Sequence, residues 1–121
     1  MINFEKLKKN TPKVRLWKLI RMYHGMSAGE FGKFVFVSKS CINQYEVGLR
    51  AIPDTRFAVV CNQIDVSMEE LTVLEVLTSI ETLTIDDVKS AIKAVTSDKA
   101  YRLIGWYYDV WKTHQQLCLM R

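Results

Sequence analysis

Residues 37–53 read VSKSCINQYEVGLRAIP. Ser38 opens the stretch, Gly48 and Pro53 close it, and Lys39, Ser40, Asn43 and Gln44 interrupt its apolar residues. A serine just ahead of apolar residues at helical spacing reads as an N-cap, because its side-chain oxygen accepts from the unpaired N–H groups of the first turn. With Ser38 as the cap, Val37 precedes it and Ile42 takes the fourth helical position, the spacing of a hydrophobic staple. Each helical residue advances by about 100°. Lys39, Ser40, Asn43, Gln44 and Val47 therefore share an arc of roughly 140°, while Cys41, Ile42 and Tyr45 face a core. The stretch predicts a short helix with one apolar side and one side of donors and acceptors.

The helical period extends in both directions. Thr11-Pro12 reads as a cap and first-turn proline for a helix ending near His24-Gly25. Ser27 and Glu30 have the spacing of a capping box for a second helix carrying Phe31, Phe34 and Val35. After the opening helix, Asp54 reads as the cap of a fourth, and Ser67 with Glu70 as a box starting a fifth. Thr84 and Asp87 mark a further start, Thr96 to Asp98 a turn, and the residues beyond one long helix. No segment alternates over strand length, so the fold class is all-α. Residues 1–80 form one helical domain in this reading and residues 84–121 a helical extension.

Composition narrows the function. Nearly half of the 121 residues are apolar, enough for a core and against global disorder. Cys41, Cys61 and Cys118 are widely spaced and odd in number, as expected of free thiols in a reducing cytoplasm. The N-terminus lacks the apolar run of a signal peptide, and no stretch has the length of a membrane span. Residues 1–53 hold ten Lys/Arg against three acids, whereas residues 54–87 hold one arginine against eight acids. A basic end beside an acidic middle suggests one face for a polyanion. His24 and His114 are the only histidines, and there is no phosphate loop, nucleophile elbow or metal quartet. Neither an enzyme, a metal nor a cofactor is expected.

Two short helices, Ser27 to Val35 and Ser38 to Val47, joined by a tight turn have the dimensions of a helix-turn-helix. Here the chain resembles the phage-repressor/Cro-type, or XRE, family of DNA-binding domains. The resemblance runs from Val14 to Leu74, through IRMYHGMS (20–27), EFGKFVFVSKSCINQYEVGLRAIP (30–53) and VSMEEL (66–71). It implies a five-helix repressor-like domain whose third helix, residues 39–47, reads the major groove. Lys39, Ser40, Asn43 and Gln44 are then the base-reading residues, and their types suit the edges of guanine and adenine. Ser38, Lys13, Arg15, Lys33 and Arg50 are candidates for the DNA backbone. The ordinary alternatives are that Ser38 is a cap first, that Asn43 and Gln44 are merely solvated, and that Arg50 pairs with Glu46.

Three positions depart from the family pattern. Ala28 replaces the usual glutamine. Phe36 stands where glycine is customary, and a left-handed backbone there costs about 1–2 kcal/mol, so the turn could be reshaped. Gly32 replaces a close-packed alanine and, with Gly29, lowers helix propensity by about 1 kcal/mol.

Near the C-terminus, Tyr101, Ile104, Tyr108 and Trp111 share one stripe of the last helix. Packing within the chain, a homodimer interface and a partner surface are all open for it. The expected function is a cytoplasmic, nucleoid-associated regulator of transcription, a repressor of phage or mobile-element type. It would bind a palindromic double-stranded operator as a homodimer. The alternative is a protein-interaction module, an antitoxin or inhibitor of host defence, using the aromatic C-terminal segment and binding DNA only to regulate itself.

Overall fold

The computed structural model describes residues 4–120, and every regular element among them is an α-helix. In chain order these are α1 (Phe4–Lys8), α2 (Pro12–Tyr23), α3 (Ala28–Val35), α4 (Lys39–Glu46), α5 (Asp54–Ile64), α6 (Met68–Ser79), α7 (Ile85–Lys93) and α8 (Asp98–Leu119). The outermost residues of the two expected segments, 1–3 and 121, lie outside the described residues.

Side-chain caps start most of the helices where the sequence places them. Thr11, Ser27, Ser38, Ser67 and Thr84 each accept from an N–H of the first turn, and Ser27–Glu30, Ser67–Glu70 and Thr84–Asp87 are full capping boxes. Asp54 is a correction. Pro53 occupies the N-cap of α5 without a side-chain cap, and Asp54 is the first helical residue. Its exposed carboxylate reaches Lys13 Nζ at 2.5 Å instead. Helix α1 was not expected; Phe4 and Leu7, one turn apart, are both buried.

Four helices end by one device. After α2, α3, α4 and α5 a residue takes a left-handed backbone, at Gly25, Phe36, Gly48 and Asp65. The next N–H in each case reaches back five residues, as from Val37 to the Gly32 carbonyl at 2.8 Å and from Leu49 to Gln44 at 2.9 Å. This closure satisfies carbonyls at the helix end and needs a positive φ, which glycine adopts freely and aspartate tolerates. Phenylalanine does neither readily, yet Phe36 takes φ 61°, so the turn is kept and not reshaped. Its ring is 73% exposed, so no packing compensates. Phe36→Gly is expected to raise stability by about 1 kcal/mol, read as a higher thermal midpoint with unchanged helicity.

Gly32 is required for a different reason. A Cβ built there would lie far inside contact distance of the Val37 carbonyl oxygen, because the closing turn folds back across it. Gly32→Ala should therefore destabilise the chain by about 1–2 kcal/mol despite alanine's better helix propensity; a urea midpoint at or above wild type would refute the close approach.

Trp17, fully buried, is the centre of the core. Its indole meets Phe31, Tyr45 and Phe57 edge-on at 5.1, 5.5 and 5.6 Å, which joins α2 to α3, α4 and α5. The same buried cluster continues through Leu83, Val88, Ala91, Leu103, Ile104 and Tyr107, so α7 and α8 share it across the loop at 80–84. Glu70 fastens the two parts. One carboxylate oxygen accepts from Ser67 in the capping box, and the other accepts from the N–H groups of Thr96 and Ser97 at 3.0 and 2.9 Å. Burial alone would push this carboxyl up, but the backbone donors of Ser97, Ser67 and Thr96 outweigh it and hold it at about 2.

Candidate nucleic-acid interface

Helix α4 sits on α3 and α2 with Ile42 and Tyr45 sealed beneath it. Ser38 is a cap, its Oγ accepting from Cys41 N at 3.1 Å. Of the expected base-reading residues, Lys39, Ser40 and Asn43 are exposed on the outer side and Gln44 is half-buried at its edge. Val47 and Leu49 continue the outer surface and are also exposed, at 68% and 81%. The side of α4 presented outward is thus mixed, with donors and acceptors toward its N-terminus and aliphatic groups beyond its end.

Arg21 holds α4 in place. Its Nε and Nη2 donate to the two oxygens of Glu46 at 2.7 and 2.6 Å, and its Nη1 donates to the Met26 carbonyl at 3.1 Å. This bidentate fork spans from α2 to the last residue of α4 and to the loop before α3, and both side chains are largely withdrawn from water. No local sequence pattern reveals a pair 25 residues apart. Because Glu46 is engaged by Arg21, the expected alternative of an Arg50–Glu46 pair is not formed. Arg50 is exposed, and its Nη1 donates to Cys41 Sγ at 3.3 Å. Tyr45, with Arg50 assisting, holds the Cys41 thiol below its usual range against the opposing effect of burial.

The expected backbone contacts divide. Lys33 is exposed. Lys13 is exposed too, but the hydrogen bond from its ammonium to Asp54 raises its affinity for its proton and occupies the charge. Arg15 is a correction: it is only 8% exposed, and its Nη2 donates to Ser79 Oγ at 3.2 Å. It lies on the inward side of α2, beside Val14 and Leu16, so it offers no surface for a phosphate.

The aromatic stripe of α8 is divided between the core and the surface. Ala100, Leu103, Ile104 and Tyr107 face the core, so Ile104, fully buried, is unavailable to a partner in this fold. Tyr101 is 53% exposed, while Tyr108 and Trp111 are half-buried and stack on each other at 6.5 Å. The ring of His114 lies 4.8 Å from that of Phe4, centroid to centroid.

Among the described residues no helix is long and apolar enough to cross a membrane, and no group of three or more His, Cys, Asp or Glu could hold a metal ion. Comparison with protein-family models, curated proteins and solved structures found no match.

Proposed function

We propose that the chain is a sequence-specific double-stranded DNA-binding regulator of transcription, a repressor of phage or mobile-element type. In this reading α2 to α6 correspond to the five-helix domain of the phage-repressor/Cro-type family, and α4 enters the major groove. The observation that carries it is the outward face of α4: Lys39, Ser40 and Asn43 are uncovered on a short helix whose other side is sealed and whose axis is pinned by Arg21. Lysine can donate to guanine and asparagine can pair bidentately with adenine. Lys33 and Arg50, with Lys39, would supply salt-dependent attraction to phosphates. Two subunits would place their α4 helices in successive major grooves about 34 Å apart.

Genome-wide binding followed by footprinting tests this directly. A protected palindrome is the expected result, and uniform weak binding to all duplexes at low ionic strength counts against it. Gln44→Ala is expected to weaken the cognate site by about 1–3 kcal/mol while leaving random DNA unchanged. Equal losses on both would remove Gln44 from base reading.

A protein-interaction module is the second reading. It is favoured by Tyr101, Leu119 and Met120, large apolar side chains left exposed on and just beyond α8. Capture of one defined protein by the full chain, abolished by Tyr101→Asp and Leu119→Asp together, would favour it over the regulator.

A further inference from the structure

Among the described residues, Arg15 carries a buried charge that forms no ion pair. Its residue is 8% exposed, yet the one partner of its guanidinium is the neutral Ser79 hydroxyl, and its Nε has no hydrogen-bond partner among the described residues. The Ser79 hydroxyl is itself committed, donating to the Glu75 carbonyl at 2.9 Å. Removing an ion from water costs several kcal/mol unless an opposite charge or a full set of hydrogen bonds replaces the solvent. A structural arginine in such a place ordinarily has a carboxylate in its fork, as Arg21 has in Glu46.

A cavity adjoins Arg15. It measures about 190 Å³ and opens where α1, α2, the end of α6 and α8 meet, with Arg15 on its wall. Phe4, Leu7, Ile80, Tyr107 and Trp111 supply apolar and aromatic surface around it. Cavities of roughly 150 Å³ accept a single benzene ring. Arg15 is the single cation among the described lining residues, which also include Glu81, so the fit is to one negative charge on a compact apolar body.

We propose that this cavity is a binding site for a small aromatic or branched-aliphatic monocarboxylate, its carboxylate paired with Arg15 and its body against Phe4 and Trp111. The site is separate from α4 and does not depend on the DNA reading.

Benzoate, with benzamide as its neutral equivalent, tests the proposal on the full chain. Benzoate at millimolar concentration is expected to raise the thermal midpoint by roughly 3 °C or more and to bind saturably by calorimetry, whereas benzamide does neither. Arg15→Met separates a binding role from a structural one. It should leave the ligand-free protein as stable as wild type or more so, because it removes an uncompensated charge from the interior, and it should abolish the benzoate response. The proposal is overturned if benzoate fails to bind wild type, if benzamide binds equally, or if Arg15→Met responds as wild type does. Should Arg15→Met not fold, Ser79→Ala with Trp111→Ala serves instead, and an undiminished benzoate affinity in that protein also overturns it.

Discussion

Arg21→Ala is expected to lower stability by about 3 kcal/mol, near the lower end of the range for breaking a withdrawn ion pair. The loss comes less from the attraction removed than from the Glu46 carboxylate left behind, whose side chain is 11% exposed. Arg21 also donates to the Met26 carbonyl, so the same change frees the loop that leads into α3. The double substitution Arg21→Met, Glu46→Leu should recover most of the loss, since neither charge then remains to be solvated. Urea unfolding of wild type and the two variants with one common slope measures this. A single-mutant loss under about 1 kcal/mol would place the pair among solvated surface bridges. If α4 reads DNA, Arg21→Ala should also weaken cognate binding, because the helix loses the fork that fixes its last residue.

Glu70→Gln is expected to remove about 3 kcal/mol at neutral pH, and acid should erase the difference. In the folded chain the carboxyl is held at about 2, against an ordinary value of 4.5. A lowered acid stabilises the fold in its ionised form. That contribution is fully present above about pH 4.5 and is lost as the pH falls through 2. The spacing of 4.5 and about 2 corresponds to roughly 3 kcal/mol at 1.36 kcal/mol per unit. Wild type and Glu70→Gln should therefore diverge in urea stability at pH 6 and converge by pH 2. Parallel curves across that window would mean that the N–H groups of Thr96 and Ser97 are satisfied otherwise. The amide in the variant keeps an oxygen acceptor but turns donors toward donors, so the loss is one of charge and geometry together.

Glu70 also illustrates how far the sequence can be read. That Ser67 and Glu70 form a capping box follows from their spacing, since the bonds involved close within one turn. That the second oxygen of the same carboxylate receives the chain 26 and 27 residues later does not follow, because no local rule brings α8 to α6. The same division holds at α4. Its start at Ser38, its buried Ile42 and Tyr45 and its outward Lys39, Ser40 and Asn43 are consequences of helical period and capping. Its fastening by Arg21, and the consequent absence of an Arg50–Glu46 pair, come from a pairing across the fold. Arg15 and Asp54 were misread for one reason. A charge was assigned to a role by its place in a pattern, whereas the neighbours that bury or pair it lie on other helices.

The amino-acid sequence by itself determined where five of these helices begin, that the fold is all-helical, and which residues of α4 face outward, since each depends on bonds and angles within a few residues. The tertiary structure alone decided which side of the apolar α8 turned inward, that Ile104 is buried while Tyr101 is exposed, and that Arg15 faces a cavity. Those outcomes depend on the shape of distant surfaces, which a helical period leaves open whenever a helix is apolar on most sides.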